Sequence, residues 1–211
     1  MEKAKYAVLD IETTGLDYKE DEMTEIGIVL LDEKFKEVDT LNHMVKINAK
    51  DVPPKITKLT GITKEDTEKG ISKRKAKSVL KKILKDKVVV IQNAAFDLSF
   101  IETITGKSYD FIDTQVLSLV NNPKEKAGLK PQAERHGLFI GNHHHALDDA
   151  KVTALLLKIY ASEKSNKTNE LENFVNYLVV RPDRPMKRIP YKTVQIDVLE
   201  GMNFKTILKN Q

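Results

Sequence analysis

Val8-Leu9-Asp10-Ile11-Glu12-Thr13-Thr14-Gly15 is a strand-like apolar run interrupted by two acids. Side chains two apart in a strand share a face, so Asp10 and Glu12 project together from a segment otherwise apolar enough to be central. Two like charges roughly 7 Å apart on a buried strand are costly unless something neutralises them. A hard divalent cation is the natural partner, because Mg²⁺ takes carboxylate oxygens and keeps waters for a substrate. The competing reading is that the pair ends an edge strand in water.

Working outward, Tyr6–Glu12 is followed by strand-like Glu25–Leu31 and Phe35–Ile47, the last two separated by the polar turn Asp32-Glu33-Lys34. Such short connections favour an antiparallel meander. In Lys73–Asp86, Ala76, Val79, Leu80, Ile83 and Leu84 recur at helical spacing, and the lysines read as the solvated opposite face. Val88–Ile91 is a continuous β-branched run, as expected of a strand buried on both faces. Asp97–Thr105 reads as a helix, Phe111–Asp113 as a short strand and Ala150–Ala161 as a Leu-rich helix. Strands first, then strands alternating with helices, predict an α/β domain with a mixed sheet.

Two further clusters carry chemistry. Gln92-Asn93-Ala94-Ala95-Phe96-Asp97 follows the buried Val88–Ile91 strand, where open sheets place ligands at strand carboxyl ends. The structural alternative for Asp97 is a helix cap or first-turn carboxylate. His143-His144-His145-Ala146-Leu147-Asp148-Asp149-Ala150 leads into the last Leu-rich helix. Adjacent histidines seldom aim at one ion, and the chain has no Cys to support a soft-metal site. One carboxylate for a metal and one His as a base, with an unperturbed pKa of roughly 6.5, fit better.

Composition bounds the rest. The chain has 211 residues, 35 Lys+Arg against 31 Asp+Glu, for a net charge of +4, a mild hint of an acidic partner. Zero Cys excludes disulfides, and no apolar run approaches the roughly 18 residues of a membrane span. A strand beginning at Tyr6 leaves no room for a signal peptide, so a cytoplasmic location is expected. Ser162–Asn169 is polar and reads as a linker. The expected division is therefore a principal domain over 1–161 and an appendage over 162–211. Within the appendage Glu170–Val180 reads as a helix with Leu171, Phe174, Val175 and Leu178 on one face. Arg181–Pro190 reads as extended, and Thr193–Val198 as a strand. The apolar stripe suits docking onto the domain, a partner protein or a second copy.

Taken in order, the three motifs resemble the DEDD superfamily of 3′–5′ exonucleases, in its His-containing branch, which includes proofreading epsilon subunits of bacterial replicative polymerases. Asp10–Leu16 resembles the first motif, Asn93–Asp97 the second and His144–Ala150 the third. In that third motif the His precedes the metal-binding Asp by five, which singles out His144 and Asp149. Glu25-Ile26-Gly27, Leu59–Thr63, Asp113-Thr114 and Ala133–Leu138 add weaker likeness, and Gln92 departs from it where many relatives carry His. The resemblance covers about residues 6–160.

The resemblance implies a ribonuclease H-like fold, a five-stranded mixed sheet flanked by helices. It implies that Asp10, Glu12, Asp97 and Asp149 hold two Mg²⁺ (Mn²⁺ able to substitute), with His144 as the base, so that rate rises with pH. Two ions about 3.5–4 Å apart would clamp a phosphodiester. Thr13, Thr14, Gly15 and Leu16 would engage the terminal nucleotide, with Asn93 and Phe96 also touching substrate, and Gln92 is expected to affect substrate contact. The activity implied is removal of nucleoside monophosphates from single-stranded 3′ ends, DNA favoured over RNA, in proofreading or a related task. Exoribonuclease trimming and an inactive nucleic-acid-binding module of the same fold are the alternatives.

Overall fold

The computed structural model describes residues 4–141, 144–163, 167–180 and 193–197. Alternation along β1 (Tyr6–Thr13) sends Tyr6 and Val8 into one core and Ala7, Leu9 and Ile11 into another. β1 is therefore covered on both faces, which is why its run is so apolar. β2 (Met23–Leu31) pairs antiparallel with β1, and β3 (Glu37–Met44) antiparallel with β2. After β3 come three helices, α1 (Pro54–Thr60), α2 (Lys64–Glu68) and α3 (Lys73–Ile83). β4 (Val88–Ile91) then lies parallel to β1 on its other side. α4 (Ala94–Thr105) leads to β5 (Phe111–Asp113), which is parallel to β4. The sheet runs β3-β2-β1-β4-β5, and its five strands of mixed sense are what the resemblance implies.

Three more helices follow: α5 (Thr114–Asn121), α6 (Leu129–Arg135) and α7 (Ala146–Ser162). α5, α6 and α7 cover the sheet face carrying Tyr6 and Val8, while α3 and α4 cover the face carrying Leu9 and Ile11. On α3, Ala76, Leu80 and the following Leu84 are buried while Lys73, Lys75, Lys77 and Lys82 are exposed, which matches the amphipathic reading. None of the described helices is long and apolar enough to cross a membrane.

Several boundaries differ from the sequence reading, each for a local reason. α1, α2, α5 and α6 were not anticipated, because helices of five to eight residues are too short to show periodicity. α2 does carry a legible start, a capping box in which Thr63 Oγ1 accepts from Asp66 N–H and the Asp66 carboxylate accepts from Thr63 N–H. α4 begins three residues before Asp97, and α7 begins at Ala146 rather than Ala150. Asp97 and Asp149 therefore sit in the first turns of their helices.

The expected helix over Glu170–Val180 is instead a 3₁₀ turn, Leu171–Phe174, followed by β6 (Tyr177–Val180). Asn176 breaks it with a left-handed φ of 65°. Its N–H donates to Phe111 O at 2.7 Å, its Oδ1 accepts from Phe111 N–H at 3.0 Å, and its Nδ2 donates to Asp110 Oδ1 at 3.1 Å. A long-range hydrogen-bond set has overridden a local helical pattern. Leu171, Phe174 and Leu178 are buried in the domain's two cores, so this stripe packs on the domain itself. β7 (Val194–Asp197) pairs parallel with β6 in a separate two-stranded sheet and falls within the expected Thr193–Val198 strand. His143, Arg181–Pro190 and Val198 lie outside the described residues.

Candidate active site

Asp10 and Glu12 alternate with Leu9 and Ile11 along β1, so both carboxylates stand on the face that α7 covers. The first turn of α7 brings Asp149, 4% exposed, over that face. Asp97 arrives from the opposite side, in the first turn of α4. It is 3% exposed, and its Oδ1 accepts the Ile11 N–H at 3.1 Å, so it is wedged against the backbone between Asp10 and Glu12. The four acids come from three separate elements and meet at the carboxyl ends of β1 and β4.

His144 stands two residues before α7 with a left-handed φ of 73°. Its N–H donates to Asp149 Oδ2 at 3.2 Å, which holds this uncommon backbone conformation in place. Ligand atoms of Glu12, His144 and Asp149 all lie within 4.8 Å of one another. Asp10 and Asp97 are outside that three-residue set but inside its electrostatic field.

The loop after β1 is built around Asp21, a residue the sequence reading passed over. Its Oδ1 accepts from Thr14 Oγ1 at 3.1 Å and its Oδ2 from Asp17 N–H at 2.8 Å. A Cβ at Gly15 would overlap the Asp21 carboxylate, so glycine is what allows this closure. Thr13 Oγ1 donates to Gly15 O at 2.6 Å, and Glu22 N–H donates to Thr14 Oγ1 at 3.0 Å. Thr13 and Thr14 are buried by these bonds, whereas Leu16 is left 74% exposed. An apolar side chain held out by a rigid loop can cover a flat apolar ligand surface.

Asn93 and Phe96 flank α4's first turn. Asn93 is exposed and left-handed, at φ 66°, while its N–H donates to Asp113 Oδ1 at 3.0 Å. Asp113 also accepts from Ala94 N–H at 3.1 Å and Gln115 N–H at 2.8 Å, tying the end of β5 to the β4–α4 turn. Phe96 is half-buried against Phe100. Gln92 is turned inward by its contacts. Its Nε2 donates to Ala127 O at 2.8 Å, and its Oε1 accepts from Thr114 Oγ1 at 2.6 Å and Gln132 Nε2 at 2.8 Å. Its amide is tied into an internal network.

The electrostatics show which charge the site favours. Burial raises Asp10 well above the usual carboxylate range, and Asp97, Asp149, Glu12 and Glu25 push it further. Burial and then Asp149, Asp97 and Glu25 push Glu12 from 4.5 to about 8. Asp97 is also raised by burial, against the Ile11 N–H that favours its charge and with Asp113 and Asp149 adding repulsion. Burial raises Asp113 to about 6 despite its three N–H donors. Acids this close and this buried hold one another protonated unless cations neutralise them. An all-oxygen set with one imidazole suits a hard divalent ion, so the residues present fit such a group. The site's other buried carboxylate, Glu25, is 1% exposed and lies directly across from Glu12 in the β1–β2 register. It was legible as the lone acid in the apolar run Met23–Leu31, but nothing in the sequence assigned it a part.

The family model described as Exonuclease (RNase_T) matches residues 7–157. A DNA polymerase III of PolC type from Thermotoga maritima is 32% identical over 195 residues, covering 85% of this chain and 14% of that protein. A 3′-5′ exonuclease DinG from Staphylococcus aureus is 33% identical over 174 residues, covering 79% of this chain and 19% of that protein. The chain thus spans less than a fifth of the length of these relatives. Among solved structures, E. coli exonuclease I in complex with a dT13 oligonucleotide superposes with a TM-score of 0.70 at 15% identity, covering 82% of this chain and 43% of that one. At that identity the likeness speaks for the fold alone.

Proposed function

The chain belongs to the exonuclease family, and on that premise we propose that it is a metal-dependent 3′–5′ exonuclease acting on single-stranded DNA ends. The observation that carries this is the convergence of Glu12, His144 and Asp149 within 4.8 Å beside the buried Asp10 and Asp97. Asp10, Glu12, Asp97 and Asp149 are the residues that would hold two Mg²⁺, or Mn²⁺ in their place. When bound, the ions would supply Lewis-acid charge that neutralises a phosphodiester and makes water more acidic.

The chain's own residues do the rest. His144 takes the proton of the attacking water on its imidazole, so it acts in its neutral form and rate rises with pH. Its backbone bond to Asp149 keeps the ring's origin fixed relative to the carboxylates. The Thr13–Gly15 backbone receives the terminal 3′-hydroxyl, and exposed Leu16 packs on the last base. Asn93 and Phe96 border the same strand of substrate. These contacts read an end rather than a base sequence, so little base preference is expected. DNA is favoured as substrate because the PolC-type relative is a DNA polymerase. Residues 1–161 carry the chemistry in this reading. With Leu171, Phe174 and Leu178 buried on the domain itself, a polymerase or a second copy would attach through other residues of 162–211, and the protein would act in the cytoplasm, in proofreading or a related step.

The test is one assay on 3′-labelled single-stranded DNA, matched RNA and frayed duplexes, each with Mg²⁺ and with chelator. Release of mononucleotides from the DNA 3′ end, abolished by chelator, is expected. Preferential RNA trimming would move the substrate assignment, and no hydrolysis of any substrate would leave a binding module.

A further inference from the structure

We infer that Glu25 is a positioning residue that sets the first turn of α7, and through it His144 and Asp149. This rests on the exonuclease reading of the site given above. Glu25 Oε2 accepts the Ala146 N–H at 3.0 Å, across 121 residues of sequence. Ala146 is the first residue of α7, and it stands between His144 and Asp149. The helix has no cap of its own, since its N-cap residue His145 makes no side-chain cap hydrogen bond. An acceptor for one of the helix's first four N–H groups is supplied instead from β2.

The neighbouring backbone makes this contact a fixed one. Gly27 lies two residues on from Glu25, on the same face of β2. A Cβ there would overlap the Ala146 and Leu147 backbone, so α7's first turn rests directly on the strand. Glu25 and Gly27 together give that turn a fixed height and a fixed azimuth over the sheet. A buried carboxylate at a helix N-terminus is also favoured by the helix dipole. Glu25 is outside the set of ligand atoms that converge within 4.8 Å, and one of its oxygens is already committed to the helix. Its part is to hold the groups that act, not to join them.

Two near-isosteric variants separate reach from charge. Glu25→Gln keeps a carbonyl oxygen at the same reach without charge. Glu25→Asp keeps the charge but withdraws the oxygen by about 1.5 Å, one C–C bond. Misplacement on this scale can cost about a hundredfold in rate. At saturating Mg²⁺ the Gln variant should retain kcat within about threefold, while the Asp variant loses at least about tenfold with KM unchanged. The reverse order, or equal kcat in all three proteins, overturns the inference. Amide hydrogen exchange at Ala146 gives a readout that needs no activity. Exchange should quicken at least about tenfold in Glu25→Asp and stay near wild type in Glu25→Gln. Equal protection in all three overturns the positioning role. If the wild-type protein hydrolyses nothing, the exonuclease reading falls, and the exchange measurement still decides the contact.

Discussion

Chelating the divalent cation should destabilise this protein by an amount that grows with pH. Glu12 is pushed from 4.5 to about 8 in the folded chain by burial and by Asp149, Asp97 and Glu25. Between those two pH values the metal-free folded state keeps a proton that the unfolded chain has lost. Stability therefore falls as pH rises through this window, because the folded state binds more protons than the unfolded one. A carboxyl displaced by that much corresponds to at most about 5 kcal/mol, at about 1.4 kcal/mol per pH unit. Asp10 and Asp97 are raised as well and act in the same direction. At roughly 2–4 °C per kcal/mol for a chain of this size, Tm would drop by as much as about 10–20 °C. The assay is thermal melting followed by circular dichroism from pH 5 to 8.5, with Mg²⁺ and with chelator. The difference between the two curves isolates the site from acid effects elsewhere in the protein. It should be small at pH 5 and widen steadily towards pH 8. A difference that is constant, or that shrinks as pH rises, would refute the claim that these acids are neutralised by metal.

Other substitutions probe neighbouring links. Asp149→Asn should cut hydrolysis of single-stranded DNA by more than about 100-fold, the scale of one electrostatic group. It should also raise the melting temperature of the chelated protein, because one repelling charge is gone; a lower melting temperature would contradict the repulsion. Leu16→Ala should leave Tm within about 1–2 °C, as surface changes do, and raise KM roughly tenfold; an unchanged KM would remove Leu16 from the substrate. Asn176→Ala should destabilise the fold by about 2 kcal/mol, since it loses bonds to Phe111 and Asp110 and strains a left-handed residue. Chemical denaturation measures this, and a change under about 0.5 kcal/mol would mean the contact is not structural. Substrate affinity should weaken with rising salt and also on chelation at fixed salt, measured by anisotropy of a labelled oligonucleotide on a slow variant. Equal affinity with and without metal would place the phosphate elsewhere.

The acids on β1 and the apolar alternation around them are local facts, and they were legible. A strand repeats every two residues, so Asp10 and Glu12 had to share a face whatever the rest of the chain did. The order of strands and the apolar run Val88–Ile91 likewise placed the sheet and the carboxyl end where Asp97 appears. The resemblance of the three motifs singled out His144 and Asp149 among their neighbours. Sequence alone thus determined the chemistry available and the layer of the fold that would display it.

What only the tertiary structure decided is who holds these residues in place. Glu25 reaches Ala146 across the sheet, Asp113 reaches two N–H groups of the β4–α4 turn and one of α5, and Asp21 closes the loop that presents Leu16. Gln92 turns inward to Ala127 and Gln132, and Asn176 turns a helical pattern into a strand edge beside Phe111. Each of these depends on a partner far away or around a turn, and a polar side chain has no periodicity to announce which buried donor it will satisfy. Hydrophobic burial repeats along the chain and can be read from it. Hydrogen-bond partners are chosen only after the elements have packed.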